Sequence, residues 1–450
     1  MKRILLFTLF AMLIYTDGKL PAANLTRPPM NLDESKIPPY VLPDPLLTKD
    51  GRKVDSVKLW SEVRRPELLD LISKEMYGKA PLPTDLKSIG VSVRVEKLVD
   101  SDPTVFGGKG TRYQVRLRLF KGEQPKDDDP KIDVLIYTPN NVNGKVPAFL
   151  GLNFLGNHTV AADPGIVLGT VWPRPGGNKN DRKEMLTSSP AKEEERGSMA
   201  HRWPVEMILD RGFALATAYY SQIEPDFHGG IEYGVRRLLN RKVEELRPDE
   251  GNTIATWAWG LSMIRSCVLA EAYLNIDAEK IAVIGHSRLG KTALWAGASD
   301  PKFALVISND SGCGGAALDH RIYGETPHLL NVVRPHWFCG NFNKYNDDVS
   351  LKPFDQHSLI ALIAPRPVYV ASATEDQPAD PKGEFLSLFH ANPVYRLLGT
   401  DGLGGVTEMP NADQSIGGQI GYHVRMGKHD ITEFDWKYYL DFAAKHFSIK

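Results

Sequence analysis

Cysteine is scarce in this chain of 450 residues, and its scarcity excludes two classes of protein. Cys267, Cys313 and Cys339 are too few and too widely spaced for a disulfide framework or a zinc cluster. An exported protein could join Cys313 to Cys339, whereas free buried cysteines would fit equally well. Because the usual sulfur ligands are missing, we expect no metal and no other cofactor.

Excess charge of one sign is also absent, since the formal net charge at neutral pH is -1. Without a basic surface field the chain has no means of gathering a polyanion, which argues against nucleic acid as a partner. Hydrophobic residues make up 42% of the chain and charged residues 24%, which is typical of a globular protein. The length predicts one large domain with insertions or two domains.

The N-terminus has an apolar run that is too short to span a bilayer. This run extends from Ile4 to about Tyr15, and it follows Lys2 and Arg3 as the core of a signal peptide does. We therefore predict a signal peptide over about residues 1–20. The mature protein is expected to be secreted or periplasmic, with no membrane association beyond export.

A proline-rich stretch over residues 21–58 lacks periodicity and predicts an extended arm lying on a catalytic domain of residues 59–450. Three strand candidates follow, at residues 91–98, 112–120 and 131–139. The second and third alternate apolar with polar residues, as antiparallel strands with one wet face do. The pattern predicts a leading antiparallel meander.

From Val146 onward, short continuous apolar runs alternate with helical segments. Such runs indicate parallel strands that helices bury on both faces. The predicted strands are residues 146–154, 212–220, 281–285, 304–310 and 367–373, and the predicted helices cover about 65–76 and 253–274. A charged, irregular segment over about residues 172–202 is typical of a surface insertion. The predicted fold class is therefore α/β, with a mostly parallel central sheet and leading antiparallel strands.

A lone serine, Ser287, stands where an apolar run gives way to a helix-like run. A strand that turns sharply into a helix holds a hydroxyl exposed at its tip. Asp376 follows the strand at 367–373, and His429 follows a further apolar run at 421–426. The order serine, acid, histidine is that of the α/β-hydrolases. We predict that the three side chains meet at one edge of a three-layer α/β-hydrolase sandwich.

Each residue type serves a distinct chemical need. A serine hydroxyl attacks only when a neutral imidazole takes its proton, and a carboxylate must orient that imidazole. The backbone N–H of Arg288, which follows the serine, is placed to stabilise an oxyanion. An ordinary capping serine would explain Ser287 alone but would leave the ordered acid and histidine to chance.

The nucleophile motif departs from G-x-S-x-G, because Leu289 occupies the second glycine position and Gly290 follows it. Its actual form, G-x-S-R-x-G-K, resembles the nucleophile motif of the glucuronoyl esterases, carbohydrate esterase family fifteen. Further segments that resemble this family are SNDSGCGGAALDHR at 308–321, YGE at 323–325, HWFC at 336–339, DQHSLIALIAPRPVY at 355–369 and GKHD at 427–430. The resemblance extends from about Val146 to the C-terminus.

The resemblance implies roles for single positions. Ser287 would be the nucleophile, His429 the general base, and Arg288 an oxyanion donor through its N–H and its side chain. Lys291 would contact sugar hydroxyls, and Glu325 would hydrogen-bond the glucuronoyl ring.

Other roles remain open at this stage. Trp337, next to His336, would either form a sugar platform or fill the core. The acid is Asp376 or Asp310, with Asp376 favoured because it lies where other α/β-hydrolases carry theirs; Glu375 is a third, weaker candidate. Two cations near a helix N-terminus, Arg288 and Lys291, oppose the helix dipole and suggest an anionic ligand.

Two positions differ from the family pattern. His286 replaces a cysteine that often precedes the serine, and Pro378 replaces a tryptophan that bacterial members carry two residues after the acid. The expected function is hydrolysis of (4-O-methyl-)glucuronoyl esters between glucuronoxylan and lignin alcohols by a monomer. An acetyl xylan esterase, or a catalytically silent carbohydrate-binding protein of the same fold, remains an alternative.

Overall fold

The computed structural model describes residues 27–83, 85–173 and 187–449. The predicted signal peptide lies outside these residues, as does part of the predicted surface insertion. Among the described helices, none combines the length and the apolar character needed to cross a membrane.

Within the described residues, eleven strands form one central sheet, and two more form a small separate hairpin. The strands are β1 (Val91–Lys97), β2 (Asp102–Thr104), β3 (Gly110–Lys121), β4 (Lys131–Pro139), β5 (Val146–Asn153), β6 (Thr170–Val171), β7 (Ser189–Pro190), β8 (Ala214–Tyr219), β9 (Ile276–His286), β10 (Leu305–Asn309), β11 (Val368–Ala373), β12 (Ser415–Gly417) and β13 (Ile420–Arg425). Their order is β1-β3-β4-β8-β5-β9-β10-β11-β13-β12, with β2 beside β3.

The six central strands, from β8 to β13 in that order, run parallel, and β1, β3 and β4 are antiparallel. The predicted leading meander and the predicted parallel strands are thus confirmed. Strands β5, β8, β10, β11 and β13 are buried along their whole length, which explains their continuous apolar runs. Because the central strands share one direction, the loops after β9, β10, β11 and β13 emerge at the same edge.

Helices cover both faces of the sheet. Among the described residues, the α-helices of six or more residues are α1 (Arg65–Ile72), α2 (Val205–Asp210), α3 (Thr253–Met263), α4 (Arg288–Ser299), α5 (Pro327–Val333), α6 (Gln356–Ala361), α7 (Pro381–Leu397) and α8 (Glu433–Phe447). Trp257 of α3, Leu294 of α4 and Leu388 of α7 belong to one apolar cluster. Ile208 of α2 and Trp436 of α8 belong to a second cluster. The predicted three-layer sandwich is confirmed.

The two predicted helices are shorter than expected. The first ends as an α-helix at Ile72, and the second ends at Met263. Each continues as one wide π-helical segment, Ser73–Tyr77 and Ile264–Val268 respectively.

The proline-rich arm runs along the surface near a segment of the predicted site. From residue 27 to the start of the domain it contains one short 3-10 helix, Glu34–Lys36. Gly324 donates its N–H to the carbonyl of Asn31 at 2.8 Å, and Nε2 of His357 lies 2.8 Å from the carbonyl of Pro43. The arm therefore packs beside the segment that leads to Glu325.

The two cysteines considered for a disulfide are both free and buried. Cys339 Sγ donates to the carbonyl of Lys74 at 3.4 Å. Burial raises the pKa of Cys339 to about 11 and that of Cys313 well above its usual range. Both thiols are therefore protonated and unreactive at neutral pH.

A fully buried polar cluster fixes the segment after β10. The carboxylate of Asp355 accepts the N–H groups of Asp319 and His320 at 2.9 and 3.0 Å, and it lies 2.7 Å from Nδ1 of His320. Lys352 forms an ion pair with Asp319 and lies 3.4 Å from Asp355. Because every partner is buried, loss of the lysine charge would leave carboxylates without compensation.

We predict that Lys352→Met lowers the free energy of unfolding by about 3–5 kcal/mol, the cost of removing one partner of a buried ion pair. Urea denaturation measures the loss. The matched control is Lys97→Met, which removes the lysine of an exposed pair with Asp100 and is expected to leave stability nearly unchanged. Equal losses for the two variants would contradict the structural importance of the buried cluster.

Candidate active site

Ser287 occupies the single residue between β9 and α4. Its backbone has φ 58° and ψ -129°, a conformation that costs a non-glycine residue strain. The N–H of Ser287 donates to the carbonyl of Asn309 at 2.9 Å and fixes the turn against β10. Among the described residues, none hydrogen-bonds the Ser287 hydroxyl, so the group is free to react.

Two glycines make this turn possible. A Cβ atom on Gly285 would lie 1.9 Å from the carbonyl oxygen of Leu289. A Cβ atom on Gly290 would lie 3.0 Å from both Ser308 Oγ and Ser311 Cβ. Leu289 itself is buried in the core. The second glycine of the motif thus stands one position late because residue 290, not 289, closes on the neighbouring strand.

The backbone N–H of Arg288 begins the 12-residue helix α4. No acceptor for this N–H lies among the described residues, as is expected for the first turn of a helix. The helix dipole adds partial positive charge at the same end. A developing oxyanion beside Ser287 would therefore meet a fixed, unused donor.

His429 and Asp376 form a hydrogen-bonded pair at the same edge of the sheet. Nδ1 of His429 lies 2.6 Å from Oδ2 of Asp376. The aspartate side chain is 8% exposed and the histidine side chain 42% exposed. With Nδ1–H donating to the carboxylate, Nε2 is the basic nitrogen that faces incoming groups.

Backbone hydrogen bonds join the two loops that carry this pair. Thr374 donates its N–H to the carbonyl of Arg425, and Glu375 donates its N–H to the carbonyl of Gly427, both at 2.9 Å. Glu375 has an exposed side chain, and only its backbone takes part. The third candidate for the acid is therefore a loop-fixing residue rather than a partner of the histidine.

Asp310 lies beneath the pair without hydrogen-bonding the imidazole. Its Oδ2 accepts the N–H of Asp430 at 3.2 Å, and its Oδ1 has no partner among the described residues. Ligand atoms of Asp310, Asp376 and His429 all lie within 4.8 Å of one another. Burial, together with Glu384 and Asp376, raises the pKa of Asp310 well above its usual range. Asp310 is therefore placed to hold the histidine loop by accepting the backbone N–H of Asp430.

Arg425, a site residue that sequence reasoning missed, holds the histidine loop from inside the sheet. Its Nη2 donates to the carbonyls of Lys428 and Asp430 at 2.5 and 2.7 Å. Its Nε donates to Asp435 at 3.0 Å. The sequence offered one sign of this role, an arginine at the end of a buried strand. Its partners lie on a loop and a helix that come near only in the folded protein.

His286 does more than fill the core. Its Nδ1 lies 2.5 Å from Oδ1 of Asn309, and its ring centroid is 4.5 Å from that of His429. Burial lowers the pKa of His286 well below its ordinary value, and the neighbouring His429 lowers it further. A neutral ring therefore supports the exposed imidazole from below.

The two cations on α4 are both paired with carboxylates, and an anionic ligand for them stays a prediction. Arg288 forms an ion pair with Asp226, a second residue that sequence reasoning missed. Lys291 is buried, donates to the carbonyl of Ser311, and lies 3.7 Å from a carboxylate oxygen of Glu325. Each of these two cations thus has a carboxylate neighbour.

Trp337 is only 5% exposed, which fits a buried floor better than an open sugar platform. The guanidinium of Arg288 lies 5.1 Å from the ring centroid, and Lys291 Nζ lies 5.7 Å from it. The indole N–H donates to Asp226 at 2.8 Å. The ring therefore supports the two cations from beneath.

Pro378 supports the segment that carries Glu325. The carbonyl of Pro378 accepts the N–H of Glu325 at 2.8 Å. A Cβ atom on Gly324 would lie 2.3 Å from the same carbonyl oxygen, so only glycine permits this close approach. The proline backbone thus fixes Glu325 beside Lys291.

The site has a strand, a strained serine turn and a helix, and later loops at the same sheet edge carry an acid–histidine pair. This arrangement defines an α/β-hydrolase of the serine esterase type. The chain is similar to known proteins over most of its length. The family described as "Glucuronyl esterase, fungi" matches residues 247–399. Carbohydrate esterase MZ0003, from an unknown prokaryotic organism, is 45% identical over 418 residues, which cover 92% of each chain.

Two further similarities extend this comparison. The glucuronoyl esterase structure from Solibacter usitatus has 43% identity and a TM-score of 0.83, covering 92% of this chain and 100% of that one. The 4-O-methyl-glucuronoyl methylesterase 1 of Wolfiporia cocos is 33% identical over 167 residues, 36% of this chain and 41% of the fungal one. This chain belongs to the glucuronoyl esterases, carbohydrate esterase family fifteen, and is a carboxylic ester hydrolase.

We predict that Asp376→Asn lowers kcat/KM more than Asp310→Asn, because Asp376 hydrogen-bonds the imidazole and fixes its tautomer, whereas Asp310 does not contact the ring by a hydrogen bond. The expected loss for Asp376→Asn is about 10³-fold or more, by analogy with triad acids. Steady-state hydrolysis of a benzyl glucuronate ester gives the ranking. A greater loss for Asp310→Asn would move the acid to the loop after β10.

Proposed function

We propose that this protein is a secreted serine esterase that hydrolyses glucuronoyl or 4-O-methyl-glucuronoyl esters, such as those joining glucuronoxylan to lignin alcohols. The carrying observation is that the free hydroxyl of strained Ser287 shares a sheet edge with the His429–Asp376 pair. Family membership supports the substrate class. The signal-peptide pattern at the N-terminus supports secretion, and monomeric action fits a site built within one chain.

The first half of the reaction forms an acyl-enzyme. As Ser287 Oγ attacks the ester carbonyl carbon, Nε2 of His429 takes the hydroxyl proton. The carbonyl electron pair moves onto oxygen, and the N–H and guanidinium of Arg288 stabilise the resulting oxyanion. When the oxyanion collapses, the carbon–alkoxy bond breaks, and His429 returns its proton to the departing alcohol.

The second half releases the acid. A water molecule loses a proton to His429 Nε2 while its oxygen attacks the acyl carbon. Collapse of the second oxyanion breaks the bond to Ser287 Oγ, which recovers the proton from His429. The product is a uronic acid, which ionises in solution. Asp376 holds the imidazole in one orientation through both halves and stabilises its cationic form.

Sugar recognition is assigned to the pair formed by Lys291 and Glu325. The ammonium and carboxylate lie 3.7 Å apart, so they offer a donor and an acceptor to neighbouring ring hydroxyls. The Glu325 side chain is 30% exposed, and it is therefore accessible to a ligand. Trp337 contributes as the surface beneath Lys291. Retention of this pair despite Pro378 favours the uronate over the acetyl substrate.

We predict that Ser287→Ala and His429→Ala each lower turnover of a benzyl glucuronate ester by about 10³-fold or more, since triad members act as a unit. The matched control is Ser299→Ala, at the far end of the same helix. Losses below about tenfold would contradict the assignment. If serine-dependent activity were confined to acetylated xylan, the serine mechanism would stand and the substrate would be an acetyl ester. If no ester were turned over, a catalytically silent binding protein would be favoured.

We predict that Lys291→Met lowers kcat/KM for the benzyl glucuronate ester by about 10-fold or more, the value of a hydrogen bond from a charged donor. Hydrolysis of an aryl acetate, which has no sugar ring, should change little. Comparison of the two substrates isolates recognition from folding, and Lys302→Met, an exposed substitution just beyond the same helix, is the control. Equal losses on both substrates would remove the sugar-binding role.

A further inference from the structure

Asp226 is a buried carboxylate to which the reaction scheme assigns no task. It is 3% exposed, and each of its oxygens has two neighbouring donors. Oδ1 lies 2.8 Å from both His336 Nε2 and Trp337 Nε1. Oδ2 forms the ion pair with Arg288 Nη1 and accepts the hydroxyl of Tyr220 at 3.1 Å. This convergence of four donors fixes the carboxylate in one orientation.

The carboxylate is ionised in this environment. Burial by itself would raise the pKa of Asp226, but the charge of Arg288 and the hydrogen bonds from His336 and Trp337 outweigh it and hold the pKa well below its usual range. Asp226 in turn outweighs the burial of Arg288 and raises the pKa of that guanidinium. Arg288 and Asp226 therefore form an ion pair beside the nucleophile turn, with their side chains 21% and 1% exposed respectively.

Different nitrogen atoms of the Arg288 guanidinium have different surroundings. Its Nη1 is tied to Asp226, while its Nε is buried and has no hydrogen-bond partner among the described residues. Its guanidinium lies 5.1 Å from the ring centroid of Trp337 and 5.7 Å from that of Phe154. The Arg288 side chain is nevertheless 21% exposed. Its accessible part, on the residue after Ser287, is thus already ordered before an oxyanion forms.

We propose that Asp226 is a positioning residue, which locks the Arg288 guanidinium beside Ser287 and preorganises it for the oxyanion while touching neither substrate nor reacting atoms. The inference rests on the proposed function, in which Arg288 stabilises that oxyanion. The shared carboxylate also ties the guanidinium to Trp337, so the donor and the floor of the sugar site keep one relative placement.

A second buried ion pair close by provides a matched control. Glu224 lies two residues before Asp226 and is fully buried. It accepts Nε and Nη2 of Arg236 at 2.6 Å each, and the hydroxyl of Thr253 at 2.9 Å. None of these partners belongs to the candidate site. Loss of this charge therefore perturbs the same segment without touching the nucleophile turn.

The test is a double-mutant cycle on the full-length enzyme with Asp226→Asn, Arg288→Ala and the two combined, plus Glu224→Gln. kcat and KM are measured on a benzyl glucuronate ester, and a thermal midpoint is recorded for each variant. We expect Asp226→Asn to lower kcat by about 10²-fold, near the cost of one oxyanion donor, with little change in KM. In the Arg288→Ala background it should change kcat by less than about threefold, because coupled residues are not additive.

Glu224→Gln is expected to lower the thermal midpoint at least as much as Asp226→Asn while kcat per folded enzyme stays within about twofold of wild type. The inference is overturned if Glu224→Gln and Asp226→Asn lower kcat equally. It is also overturned if Asp226→Asn lowers kcat by the same factor in the wild-type and Arg288→Ala backgrounds. Full kcat in Arg288→Ala would instead remove the oxyanion role, and with it this inference, whereas Ser287→Ala identifies failure of the esterase mechanism itself. If Asp226→Asn does not fold, Asp226→Glu replaces it in the double-mutant cycle. This variant keeps the charge but displaces the guanidinium, and its effect on kcat should likewise be nearly absent in the Arg288→Ala background.

Discussion

The strained turn at Ser287 is the constraint on which the rest of the site depends. One residue must carry the chain from β9 into α4, and its positive φ aims the side chain out of the sheet edge. That requirement excludes a side chain at Gly285 and crowds one at Gly290, and it leaves the N–H of Arg288 without a partner among the described residues. Nucleophile and oxyanion donor therefore follow from a single backbone conformation, stabilised by the hydrogen bond from Ser287 to β10.

Buried charges hold the groups around this turn in fixed positions. Asp226 orients Arg288, and Asp376 orients His429. Glu384 accepts the N–H groups of Ser311 and Gly312 at 2.8 and 3.0 Å, thereby fixing the loop after β10; burial raises its pKa to about 7. Asp226 and Glu384 are each held by several donors rather than one, so these two carboxylates resist rearrangement as charge develops.

Local patterns were enough to predict the layers and the longer strands, because burial on both faces leaves continuous apolar runs. They missed the short strands β2, β6, β7 and β12. The order of serine, acid and histidine stays a prediction. The roles of Asp226 and Arg425 were not predictable, since an acid or base in a loop or strand end shows no sign of its distant partner. The paired state of Lys291 was missed for the same reason, whereas the burial of Trp337 agrees with one of the two roles left open for it. Spacing along the chain reports local geometry, whereas charge compensation is a property of the fold.

The central claim is that one activated serine at this turn performs the chemistry. The most direct measurement is labelling of the folded protein with a fluorophosphonate, followed by peptide mapping of the modified residue, with Ser287→Ala as the comparison. The account predicts one phosphonyl group per chain, located on Ser287 and absent from the variant. Labelling at another residue, or an unreactive wild-type protein, would contradict it.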